Sequence, residues 1–209
     1  NSSSSSSSSN NGEVVGSADG WYSFNDGPVH FAMISTEHDL SASSPQGLWL
    51  TADLSTVDRA DTPWVVVAGH RQCYSCSSRN APVADPLEPT LLAHKVDVYV
   101  AGHVHLAQRT CPLYNGTCVG GEEEEVKGGV GSRSTGNEYK APVHAVIGHA
   151  GMTANGCTQG GFDSLGGWGS TEHGFATLEA NTTDLVLRYY ADCNPAALLP
   201  SSSSSPQTL

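Results

Sequence analysis

The sequence predicts an α/β fold: a partial β-α-β sandwich that ends in a carboxyl-terminal β-hairpin. Three observations carry this. Trp64-Val65-Val66-Val67-Ala68 is a short apolar, β-branched run closed by Gly69, the pattern of a parallel strand buried on both faces. Val96-Asp97-Val98-Tyr99-Val100-Ala101 has the same character and is closed by Gly102. Near the end, Gly174 to Ala180 and Asp184 to Tyr190 alternate apolar and polar residues around a turn at Asn181, as an antiparallel hairpin does.

The remaining elements follow in chain order. Ser2 to Ser9 and Ser201 to Ser205 are unbroken serine runs, which bury too little apolar surface to offset the entropy of ordering. The expected division is a disordered segment over 1–20, one packed domain over 21–193 and a disordered tail over 194–209. Trp21 to Phe24 reads as a strand before the turn at Gly27-Pro28, and Val29 to Ser35 as a second strand. Leu48, Leu50, Leu54 and Val57 give Gln46 to Arg59 an imperfect helical spacing, stopped at Pro63. Pro86 to Lys95 reads as a short helix and Ala141 to Ile147 as a strand ending in Gly148-His149. Gly120 to Lys140 lacks periodicity and reads as a surface insertion, and its Glu122 to Glu125 run as a solvated loop. If nothing precedes the Val29 strand in the sheet, it is an exposed apolar edge and an aggregation liability.

Composition narrows the function. The 209 residues carry a net charge of −12, which argues against nucleic acid or an anionic membrane as partner. No run of about 20 apolar residues is present to span a bilayer. Six cysteines without a paired metal-type CxxC, together with glycosylation sequons at Asn115 and Asn181, favour a secreted setting. Cys111 and Cys118 bracket a short turn and are the first choice for a disulfide; the other pairings stay open. The lack of an initiator Met and of a signal peptide suggests a natural start upstream of Asn1.

The chemistry lies where the strands end. Gly69-His70-Arg71 follows one buried strand, and Gly102-His103-Val104-His105 follows another. Ligands of α/β sheets collect at the carboxyl ends of strands, and neutral imidazole binds divalent transition metals. His70, His103 and His105 are therefore the candidate metal ligands. His149 ends a strand that can face the same edge. His30, His94, His144 and His173 read as core or surface histidines, and His38 as a supporting residue. Three histidines fit a single zinc with an open position, or half of a two-metal phosphoesterase site that also needs carboxylates. Asp39, Asp53, Asp58 and Asp97 are the nearby acids, and none ends a strand before Gly.

Five stretches in order, YSFNDGPVHF (Tyr22 to Phe31), STEHD (Ser35 to Asp39), GHR (Gly69 to Arg71), GHVH with RTCPLYN (Gly102 to Asn115) and APVHAVIG (Ala141 to Gly148), resemble the carboxyl-terminal half of a purple acid phosphatase. These enzymes are calcineurin-like metallophosphoesterases. The resemblance implies a metallophosphoesterase sandwich, and a binuclear centre of iron with iron, zinc or manganese. His70 and His103 would serve one metal and His105 the other, and metal-bound hydroxide would attack small phosphate monoesters. Arg71, Arg109 and His38 are the remaining candidates for phosphate contact or catalysis. The family's bridging aspartate, GDxxY and GNHE elements are absent, and its HAYER stands here as His105-Leu106-Ala107-Gln108-Arg109. The expectation is an incomplete acid phosphatase, a fragment holding one metal at most and inactive alone. The alternatives are a non-catalytic secreted glycoprotein domain and a mononuclear zinc hydrolase.

Overall fold

The computed structural model describes residues 15–16, 20–119, 139–191 and 207–208. The serine runs, the Glu122 to Glu125 stretch and Cys193 lie outside the described residues, as do most of the two expected disordered ends.

The main sheet is built from β1 (Tyr22–Asp26), β2 (Val29–Met33), β3 (Trp64–Ala68), β4 (Val98–Ala101), β5 (Ala107–Tyr114), β6 (Val143–Ile147) and β7 (Trp168–Ser170). Its spatial order is β1-β2-β3-β4-β6-β5-β7, with the short strands Val15–Gly16 against β1 and Thr117–Cys118 against β5. β2, β3, β4 and β6 run parallel; β1, β5 and β7 pair antiparallel to their neighbours. β8 (Gly174–Ala180) and β9 (Leu185–Ala191) form the expected hairpin as a separate sheet. The helices are α1 (Pro45–Ser55), α2 (Ala81–Ala93) and α3 (Gln159–Asp163).

Alternation along β3 explains the layering. Val65 and Val67 join Leu50, Leu54, Leu87 and Leu91 of α1 and α2 in one core. Trp64 and Val66 join Leu185, Leu187 and Tyr189 of the hairpin in the other. A central strand buried on both faces has no polar side, which is why its sequence is a continuous apolar run.

Several boundaries differ from the sequence reading. α1 starts one residue earlier, because Pro45 occupies its first turn and the Ser44 hydroxyl accepts from the Gly47 N–H at 2.9 Å. It ends at Ser55 rather than Arg59, and Val57 still packs on the core from outside the helix. α2 starts five residues before Pro86 and contains Pro86 and Pro89. Each proline removes a main-chain hydrogen bond, but the buried Val83, Ala84, Leu87 and Leu91 face holds the helix in place. The predicted exposed edge at Val29 is corrected. β1 pairs with β2 over the full length from Tyr22↔Met33 to Asp26↔Val29, so β2 is an interior strand. The region after His105, which gave no strand signal, is the eight-residue β5.

Cys111 and Cys118 are joined by a disulfide across the β5 hairpin, and Cys76 is joined to Cys157, 81 residues away in sequence. Cys73 is a free, buried thiol whose pKa burial pushes well up, so it is held neutral.

Candidate functional site

The ends of β3 and β4 are tied together by main chain. The His70 carbonyl accepts from the N–H groups of both Gly102 (3.1 Å) and His103 (2.8 Å), and Gly69 N–H donates to the Val100 carbonyl at 3.0 Å. The bend after β3 is clamped from two sides. Arg71 N–H donates to the Thr36 hydroxyl at 3.0 Å, and the Tyr99 hydroxyl donates to the Arg71 carbonyl at 2.6 Å. A Cβ on Gly69 would sit 2.9 Å from both Thr36 and Tyr99 side-chain atoms, so a larger residue there would have to displace the groups that clamp the bend.

This geometry brings two of the three candidate ligands together. His103 Nδ1 lies 2.9 Å from His70 Nε2, with the rings edge-on and their centres 4.8 Å apart. One nitrogen donates and the other accepts, so the accepting ring's lone pair is engaged while the donating ring keeps its lone pair on its other nitrogen. Partial burial, with the charge of Arg71 and then His70 beside it, holds His103 below its ordinary pKa and favours neutral imidazole.

His105 is held by a different segment. Its main chain is bracketed by Asn155, whose side-chain oxygen accepts from His105 N–H at 2.7 Å and whose own N–H donates to the His105 carbonyl at 3.0 Å. Its ring Nδ1 faces the Thr153 carbonyl at 3.1 Å. A carbonyl only accepts, so Nδ1 carries the proton and Nε2 keeps its lone pair. The Cys76–Cys157 disulfide anchors this Thr153–Asn155 segment to the loop that follows His70. The clamp was not legible in the sequence, since nothing in Thr153-Ala154-Asn155 marks a partner about fifty residues back.

The other candidates separate. Arg71 makes a two-pronged ion pair with Glu37, at 2.7 and 3.2 Å, which draws the Glu37 carboxyl below its usual range. Both groups are exposed. His38 Nδ1 lies 2.7 Å from the Ser35 hydroxyl, and its ring meets Trp21 edge-on. Arg109 lies two residues inside β5, opposite Ala145, where burial lowers its pKa. The acids are engaged elsewhere: Asp53 with Ser23 and His30, Asp97 with Arg59 and the Val65 N–H, Asp58 and Asp39 with nearby main chain. Among the described residues, no three His, Cys, Asp or Glu side chains stand together in a group fit to hold a metal ion.

The floor of the site is tightly packed. A Cβ on Gly148, at the end of β6, would fall 2.2 Å from the Val104 carbonyl oxygen and 2.4 Å from that of Gly102. Gly148→Ala must push the His103–His105 loop away and is expected to cost about 1–3 kcal/mol. An unchanged Tm for this variant would show that the two strand ends are free to part.

Comparison with known proteins agrees with this architecture. The calcineurin-like phosphoesterase family pattern matches residues 9–107. The chain is 41% identical over 137 residues to probable inactive purple acid phosphatase 9 of Arabidopsis thaliana, across 63% of this chain and 19% of that protein. It is 39% identical over 101 residues to purple acid phosphatase 23 of the same plant, across 46% and 22%. The solved structure of purple acid phosphatase PPD1 from yellow lupin (Lupinus luteus) seeds superposes with a TM-score of 0.65 at 26% identity, covering 82% of this chain and 30% of that one. The chain spans about a fifth of the length of the curated relatives it matches. Its paired parallel strand ends, each opening through Gly into His, thus lie in the stretch that matches the calcineurin-like phosphoesterase pattern, and over the matched part the chain is homologous to the purple acid phosphatases.

Proposed function

We propose that this chain supplies the histidine side, His70, His103 and His105, of a metal-dependent phosphoesterase site for small phosphate esters. We propose further that the 209-residue chain alone does not turn such esters over. The observation that carries this reading is the His70–His103 contact at adjacent strand ends, with no third metal-binding side chain grouped with it among the described residues. The family implies metal cofactors. The residues present do not fit a two-metal centre. Two imidazoles sharing one proton bring no negative charge, and Glu37, whose charge reaches the pair, is held by Arg71. Two closely spaced cations of charge two or three repel each other and need anionic ligands between them, which neutral imidazoles do not supply.

The inactive label on the relative that is 41% identical supports the second half of the proposal. A mononuclear zinc hydrolase is less well supported, because His105 is held on the Thr153–Asn155 segment instead of completing a triad. The two disulfides and the exposed sequon residues Asn115 and Asn181 support a secreted, glycosylated product.

The test is hydrolysis of p-nitrophenyl phosphate at acid pH with added iron and zinc, beside a full-length purple acid phosphatase. The expected rate is that of the metals alone. Turnover approaching that of the full-length enzyme would overturn the reading.

A further inference from the structure

A second histidine pair, which the phosphoesterase reading does not use, stands where β6 ends and β8 begins. His149 follows Gly148 at the end of β6, and His173 immediately precedes β8. The Gly174 N–H donates to the His149 carbonyl at 3.1 Å and keeps the two segments side by side. The imidazole centres are 5.7 Å apart, with the rings tilted by 48°.

The proton on each ring can be assigned from its partner. His173 Nε2 lies 2.9 Å from the Met152 carbonyl, so Nε2 carries the hydrogen and Nδ1 the lone pair. His149 Nδ1 lies 2.7 Å from the Tyr189 hydroxyl oxygen, and that hydroxyl donates its own hydrogen to the Glu172 carbonyl. His149 Nδ1 is therefore the donor, and Nε2 is left with its lone pair. That Nε2 is buried and has no hydrogen-bond partner, on a residue only 1% exposed. A buried polar atom with nothing to bond is uncommon and calls for a ligand.

We propose that His149 Nε2 and His173 Nδ1 bind a divalent transition metal of the zinc class, at a site separate from His70 and His103. Three features support it. Each ring gives its other N–H to an oxygen, the arrangement that fixes the tautomer and raises the basicity of metal-bound histidines. Two Zn–N bonds of about 2.0–2.1 Å at a tetrahedral angle place ring centres roughly 5 Å apart, within a small closure of the observed spacing. Entry is open from the side of His173, which is exposed, while His149 is fixed from behind by Tyr189. Two imidazoles with solvent in the remaining positions make a moderate site, selective for borderline metals over hard magnesium.

Calorimetric titration of the 209-residue chain with Zn²⁺ and, separately, with Mg²⁺ tests this in a His70→Ala/His103→Ala/His105→Ala background. That background removes all three histidines of the phosphoesterase reading, so the two proposals fail independently. One Zn²⁺ per chain is expected, with no heat from Mg²⁺, and His173→Ala is expected to weaken Zn²⁺ at least tenfold. His173 is exposed, so its variant folds; His149→Gln, checked by circular dichroism, should weaken binding to a similar degree. Absence of zinc binding in this background, or an isotherm that His173→Ala leaves unchanged, would falsify the site and leave the His149 nitrogen to an ordered water.

Discussion

Asp97→Ala should be among the most damaging single substitutions in this chain, with an expected loss of about 3–5 kcal/mol of stability. Asp97 is 1% exposed and stands where the chain enters β4. One carboxylate oxygen accepts from Arg59 Nη1 at 2.6 Å and from the Val65 N–H at 2.8 Å. The main chain of Asp97 is in the ladder too, donating to the Val65 carbonyl at 2.9 Å and accepting from the Val143 N–H at 3.0 Å. Three parallel strands therefore meet on this residue. Arg59 extends the network to the Pro63 and Lys95 carbonyls, joining the segment after α1 to the end of α2.

Removing the carboxylate leaves the guanidinium half-buried without its charge partner and strands a buried amide hydrogen. The cost of such a break exceeds the worth of the pair itself, because the surviving group stays desolvated. Asp97→Asn keeps one acceptor for Val65 and loses only the charge, so about 1–2 kcal/mol is expected. Urea unfolding of both variants measures this. If Asp97→Ala costs under 1 kcal/mol with an unchanged m-value, the network is not a stabilising one. A domain of ordinary stability, about 5–15 kcal/mol, would lose a large fraction of its margin.

Asp97 also shows where sequence reasoning stops. As a residue type near the histidines it was one of four acids open to a metal role. Its real partners are Arg59, 38 residues away, and a main-chain amide, and only the folded sheet puts them beside it. The strands themselves were legible because β3, β4 and β6 are covered on both faces, which makes the signal composition rather than periodicity. β5 hid for the opposite reason. Its polar Gln108 and Thr110 interrupt any apolar pattern, yet both are buried. The Gln108 amide exchanges two hydrogen bonds with the Cys76 main chain, at 2.7 and 3.1 Å, and the Thr110 hydroxyl accepts from His144 N–H at 3.0 Å. These side chains replace missing ladder partners. Pro112 sits opposite Val143, where the pairing with β6 shifts register, a position that tolerates a missing N–H.

The same division runs through the site. His70 and His103 meet because adjacent parallel strands end at the same level, which the Gly-His repeats announced. The ring direction of His105 is set by Thr153 and Asn155, and the state of Glu37 by Arg71, contacts that no local pattern encodes. His149 follows the end of β6, which runs parallel to β4. Its pairing with His173 depends on β8 coming back beside β6, a long-range outcome of the hairpin docking on the sheet.

Acid should destabilise this fold through His144. The side chain is 2% exposed and sits edge-on between the rings of Tyr74 (4.8 Å) and Tyr99 (5.9 Å). Neither ring nitrogen makes a hydrogen bond of normal geometry; the Leu113 main chain is near enough to favour the proton only slightly. Burial dominates and pushes the pKa from 6.5 down to about 3. The sign follows from linkage. The unfolded chain takes up a proton near pH 6.5 and the folded chain does not, so this contribution is fully present above pH 6.5. It drains away as pH falls toward 3, at about 1.4 kcal/mol per pH unit. His144→Phe keeps an aromatic ring between the two tyrosines and removes the titration. Relative to the parent chain, the variant should gain about 2 kcal/mol between pH 6.5 and pH 5. Urea midpoints of the two proteins at these pH values measure the difference. A difference that stays constant with pH would mean that His144 is protonated inside the fold. The tyrosine cage would then have to relax to solvate the charge, because neither ring carries a negative charge at these pH values.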